Sequence, residues 1–247
     1  PRWRVGLVTA ALALTILLGG IRRIAEISTV LVPVMALLYL GGGLAVILGN
    51  LRRLPEALIL MLRCAVAPEA ALGGALGIVT RREALRWGVA RSVFSNEAGL
   101  GSAAITAACA DTEEPVKQGL ISMTGVFFDT MVICTVTGLA ICCSGTLGTA
   151  DGAGRPLTGA ALTLRAFETV LGPLAPWLIG AALGLFAFTS VLGCAVQAET
   201  TASYLLGPEA VRPCRVLYGL AVFVGAVIPM ATVLQLADLA NALMAFP

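Results

Sequence analysis

The chain alternates long uncharged apolar runs with short clusters of charge, proline and glycine. A helix crosses the ~30 Å hydrocarbon core of a bilayer in about 20 residues. Residues 5–21 are uncharged up to Arg22 and Arg23, and residues 27–51 are uncharged up to Arg52 and Arg53. Residues 54–80 differ: Pro55, Arg63, Pro68 and Glu69 interrupt them, which predicts short interfacial helices and a loop. Residues 85–110 are apolar but carry Arg91, Asn96 and Glu97. A polar turn at 111–115 leads into a span over 117–144 that contains Asp129.

Residues 145–165, rich in Gly, Thr and Pro, predict a loop leading to a short helix near Ala166. Residues 169–198 form the longest uncharged stretch, entered at Pro173 and Pro176 and continuing as helix to about Leu206. A polar turn over 207–215 precedes the run 216–230, which Pro229 breaks, and residues 232–247 begin a last helix. The pattern predicts an all-α integral membrane protein of about seven transmembrane helices, the outer two incomplete.

Composition agrees. The 247 residues are 58% apolar and 12% charged, with a mean hydropathy of +0.95. Soluble domains are about half apolar and a quarter charged, so much of this surface must face something other than water. A net charge of +2 gives no footprint for nucleic acid. The absence of histidine removes imidazole acid–base chemistry and any Ser-His-Asp triad. Seven cysteines lie mostly within apolar runs, without zinc or disulfide spacing, and read as small hydrophobes. The chain starts at Pro1 and stops within an apolar run, so it reads as a fragment of a longer protein. Arginines occur in successive connections on both sides, and the positive-inside rule leaves orientation open.

Polar residues inside spans cost free energy unless paired, and they carry the chemical information. The richest cluster is Phe94-Ser95-Asn96-Glu97-Ala98-Gly99-Leu100-Gly101-Ser102. Two glycines two apart, beside Ser, Asn and Glu, disfavour a continuous helix there. A break in a membrane helix exposes amides on one side and carbonyls on the other, ready partners for a carboxylate and a cation. A close helix–helix contact with Glu97 in a structural hydrogen bond explains the same residues equally well. Asp129, Glu199 and Asp238 are the other carboxylates in or near spans. Structural pairing is expected for Asp129, and Asn241 stands one helical turn from Asp238.

The stretch 90–103 closely resembles the signature of the alanine or glycine:cation symporter family, the sodium:alanine/glycine symporters. Gly19–Ile24, Leu31–Leu37, Val126–Thr130, Leu185–Thr189 and Leu236–Leu239 look like the same family, in its order. The resemblance covers nearly the whole chain. It implies an incomplete LeuT-like inverted-repeat helical bundle. Residues 1–53 would be the last two helices of repeat one, 54–84 the interfacial helices and loop, and 85–247 repeat two, truncated at its last helix. It implies co-transport of a small neutral amino acid, alanine or glycine, with sodium across the cell membrane, with no other cofactor and no covalent chemistry.

In that reading Phe94, Ser95, Asn96, Gly99, Gly101 and Cys194 meet the substrate. The paired hydroxyls Thr189 and Ser190, on one stretch of helix with Cys194 and Gln197, would ligate sodium, a hard cation suited to oxygen ligands. Hydroxyls bonded back to carbonyls one turn earlier are the structural alternative. Glu97, Asp129 and Asp238 would be structural polar residues in the membrane. Cys194 departs from the family, many of whose members carry a tryptophan there, which predicts a roomier pocket. An ion channel or pore, and a fragment inactive for want of the first broken helix, are the competing readings. A membrane-embedded enzyme fits less well, since no span pairs catalytic carboxylates.

Overall fold

A computed structural model describes residues 2–66, 81–97, 99, 101–152, 154 and 156–244. The helices are α1 (Arg2–Leu17), α2 (Gly20–Gly49), α3 (Leu54–Val66), α4 (Arg81–Asn96), α5 (Ser102–Ala107) and α6 (Pro115–Val126). A π-helical segment, Phe127–Cys134, joins α6 to α7 (Thr135–Ser144). Then come α8 (Gly159–Leu171), α9 (Ala175–Leu206), α10 (Val211–Val227) and α11 (Met230–Met244). No sheet forms among the described residues; Ala150 and Pro156 make an isolated antiparallel bridge.

Among the described residues four stretches are long and apolar enough to cross a membrane: Gly20–Gly49, Pro115–Ser144, Gly159–Leu206 and Pro208–Val227. Their apolar side chains largely point outward, with Trp177 81% and Leu206 77% exposed, as suits helices bathed in lipid or in other apolar protein. Helix α1 is a shorter apolar helix of 16 residues, ending at Leu17 rather than at Ile21. The Gly19-Gly20 turn ends it, so Arg22 and Arg23 belong to the first turns of α2. Helix α8 begins at Gly159, earlier than the short helix expected near Ala166, because Thr163, Ala166 and Phe167 repeat at helical spacing and are all buried. A short helix does follow Arg53, as α3; the loop expected around Pro68 and Glu69 lies outside the described residues.

The chain divides into two compact units. Residues 1–34, 93–118 and 184–247 form one. Its core joins Leu17, Ile24, Leu192, Ala195 and Val196, with Tyr218 packed against them. Helices α1 and α10 approach closely through small residues: a Cβ at Gly219 would fall 2.7 Å from Leu14, and one at Gly6 would fall 2.9 Å from Ala226.

Residues 35–92 and 119–183 form the other unit. Phe167 is fully buried, with its ring 5.7 Å from that of Tyr39. Gly42 lets α2 come close to this ring, since a Cβ there would stand 3.0 Å from Phe167 and from Leu178. Thr137 Oγ1 donates to Ile133 O (2.7 Å), so the Tyr39 hydroxyl donates in turn to Thr137 Oγ1 (2.8 Å). Each of these part-buried polar groups is thus satisfied within the unit.

Candidate functional site

The residues 93–118 and 184–247 that carry most of the predicted site fold within one unit. Helix α4 stops at Asn96, and α5 starts at Ser102. Between them Glu97 has φ 50°, Gly99 φ 79° and Gly101 φ 80°. Glycine adopts this left-handed backbone freely, whereas a glutamate there costs about 1 kcal/mol or more. Three left-handed residues in five positions cannot continue an α-helix, so the break follows from backbone geometry. Ala98 and Leu100 lie outside the described residues.

A side chain from α9 holds the break. Gln197 Nε2 donates to Glu97 Oε2 at 3.0 Å and to Thr106 Oγ1 at 3.2 Å. One amide therefore ties the strained residue and the short helix beyond the break to the same turn of α9. By helix geometry the end of α4 presents carbonyls and the start of α5 presents amides toward the break. Ser102 Oγ, in the first turn of α5, is shielded from solvent and has no hydrogen-bond partner.

Upstream on α9, Ser190 and Cys194 are spaced seven and three residues before Gln197, one face of an α-helix, and both are exposed. Thr189 Oγ1 lies 3.0 Å from both Leu185 O and Phe186 O, to which it donates. This is the back-bonded arrangement expected of a hydroxyl in an apolar helix. It spends the proton and leaves oxygen lone pairs for a cation, so the two roles foreseen for Thr189 are compatible. Phe94 and Ser95 are exposed on the last turn of α4, and Asn96 is half-buried at its end.

Opposite that face, α9 is bound to α10. Arg215 forms a two-pronged ion pair with Glu199, Nε to Oε1 at 2.8 Å and Nη2 to Oε2 at 2.9 Å. Tyr218 Oη donates to Val191 O at 2.7 Å. The sequence gives no geometric cue to either contact: Arg215 falls at the edge of a polar turn, and Tyr218 looks like one more apolar residue. Thr106 was likewise invisible as a partner, four residues beyond Ser102 in an alanine-rich stretch.

The remaining carboxylates lie elsewhere. Asp129 is half-buried in the π-helical segment and belongs to the other unit. Asp238 is exposed on α11, and the side chain of Asn241 lies outside the described residues. Among the described residues no group of three or more Asp, Glu or Cys is placed to hold a metal ion.

The sequence model of the sodium:alanine symporter family matches residues 1–247. The chain belongs to this family. It is 43% identical to an uncharacterised transporter of Haemophilus influenzae over 94% of this chain and 50% of that protein. It is 38% identical to the sodium/alanine symporter AgcS of Methanococcus maripaludis over 98% of this chain and 52% of that protein. The probable sodium/glutamine symporter GlnT of Bacillus subtilis is 44% identical over 70% of this chain and 35% of its own length. The chain thus spans about half the length, or less, of the curated relatives it matches. As a member of the sodium:alanine symporter family it is a multi-pass protein of the cell membrane, and its family is one of transporters rather than enzymes.

Proposed function

We propose that this chain contributes the second-repeat part of the sodium- and substrate-binding site of a symporter, in which sodium moving down its gradient carries a small neutral amino acid, alanine or glycine. The observation that carries the reading is the broken helix at 97–101, fastened by Gln197 to the helix bearing Thr189 and Ser190. The exposed amides and carbonyls of the break suit the two charged ends of an amino acid, and neutral oxygens hold sodium without burying a further carboxylate. Phe94, Ser95, Asn96, Gly99 and Gly101 would meet the substrate, with Phe94 as a gate. In this reading residues 85–247 are the second half of a LeuT-like inverted repeat, 1–53 the end of the first, and 54–84 the connection. The seven-pass count belongs to the same proposal, with α1, the α4–α5 pair and α11 as spans in addition to the four apolar stretches.

Cys194, one turn before Gln197, widens the pocket compared with the tryptophan of many family members. The similarity to a probable sodium/glutamine symporter is in keeping with a side chain larger than alanine's. Binding of labelled alanine to the intact purified protein, in sodium and in choline, tests the proposal. Binding that requires sodium is expected, with competition by glycine and by glutamine. Equal binding in both salts rejects it. In Cys194→Trp, glutamine competition should fall while alanine competition persists; an unchanged profile removes Cys194 from the pocket wall.

A further inference from the structure

The unit formed by residues 35–92 and 119–183 carries a cavity of ≈ 590 Å³ where apolar helices end. Its walls come from the C-terminal end of α2, the turn Leu51–Arg53, and single residues of α7 and α8, Ser144 and Thr169. Helices α2 and α7 close two of the membrane-crossing stretches, at Gly49 and Ser144. Taken as spans, these stretches put the cavity at the boundary between hydrocarbon and water.

Its polar chemistry is one-sided. Arg52 and Arg53 both line it, and among the described residues neither is paired with a carboxylate. Arg53 is drawn over the end of α7, where a Cβ at Gly145 would stand 2.7 Å from its Nη1. Some of this positive charge compensates helix carbonyl ends. Each helix C-terminus carries roughly −0.5 of a charge, so the ends of α2 and α7 offset about one of the two guanidinium charges. The rest of the guanidinium charge faces the cavity, with Glu56 in the first turn of α3 as the nearest acidic residue along the chain.

The hydroxyls do not neutralise it. Ser144 Oγ lies 2.8 Å from Ile141 O, and Thr169 Oγ1 donates to Ala166 O at 2.6 Å. Asn50 uses its Nδ2 on Val46 O, which leaves one amide proton free. Leu48 and Leu51, 67% and 54% exposed, give the cavity an apolar flank. Donors of positive charge beside apolar surface, at the depth of the headgroups, match one kind of ligand.

We propose that this cavity binds the phosphate of an anionic membrane phospholipid, gripped by Arg52 and Arg53, with its acyl chains along Leu48 and Leu51. Guanidinium groups present paired N–H donors that fit two phosphate oxygens at once, and basic pockets between membrane helices suit anionic headgroups. The site lies in a different compact unit from the residues proposed for transport, and it stands or falls independently of them.

The test is native mass spectrometry of the intact purified protein exchanged into phosphatidylglycerol, into phosphatidylcholine, and into phosphatidylglycerol with excess inorganic phosphate. Retention of phosphatidylglycerol over phosphatidylcholine is expected. A guanidinium near an anionic surface contributes roughly fivefold, so Arg52→Gln with Arg53→Gln should lower phosphatidylglycerol retention about thirtyfold. Arg52→Lys with Arg53→Lys, which keeps the charge and guards against misfolding, should retain most of it. Equal retention of the two lipids, or an unaffected glutamine pair, overturns the site. Displacement of the lipid by inorganic phosphate alone overturns its assignment to phospholipid and leaves a free-anion site.

Discussion

At the scale of single residues, Gln197 joins what the chain separates by a hundred positions. Its amide donates to Glu97 and Thr106, and so restrains a glutamate in left-handed backbone beside two glycines. Removing that amide leaves a half-buried carboxylate without its donor, a loss of about 1.5–3 kcal/mol for a hydrogen bond to a charged group. Gln197→Leu is therefore expected to lower the thermal midpoint of the purified protein by several degrees and to weaken sodium-dependent substrate binding. Glu97→Gln keeps an acceptor for the amide and should be milder on stability. If both variants melt with the wild type, the link does not hold the break. The break itself was legible from residues 94–102, since glycine spacing and small polar side chains act locally. The partner that fastens it was not, because no local rule pairs residue 197 with 97 and 106.

Elements show the same division. Helix α9 is loaded on two faces, one toward the break through Gln197 and the other toward α10 through Glu199–Arg215 and Tyr218. The side chains of that ion pair are only 16% and 21% exposed. Breaking a largely buried pair by removing one partner typically costs about 3–5 kcal/mol, whereas replacing both by apolar groups is often neutral. Arg215→Leu alone should thus destabilise the protein strongly, and Glu199→Leu with Arg215→Leu should recover most of the loss. Thermal unfolding in one detergent, read for Arg215→Leu, Glu199→Leu and the double variant, checks this. Additive losses in the double variant would mean that the pair is not coupled. Apolar length placed the four long crossing stretches well. Helix ends were read less well, as at Leu17 and Gly159, where a glycine pair and a buried stripe outweigh run length. The π-helical turn around Asp129 left no trace in the pattern, because Phe127–Cys134 is as apolar as any helix.

For the whole molecule, family membership covers every residue, while the chain spans about half of its relatives. Composition alone points to a membrane protein; transport and the substrate class rest on the family resemblance around residues 90–103 and the matching segments beside it. In the proposed symport, substrate and sodium meet at α9 and the broken helix, so that neither moves productively without the other. In the proposed sodium site Thr189→Ala removes one oxygen, and a loss of about 1.5 kcal/mol should raise the sodium concentration for half-maximal uptake roughly tenfold. The most direct measurement is uptake of labelled alanine into proteoliposomes by the intact protein, with an inward sodium gradient and with sodium equal on both sides. Sodium-coupled symport gives accumulation above equilibrium only under the gradient. Uptake equal in the two conditions would contradict it.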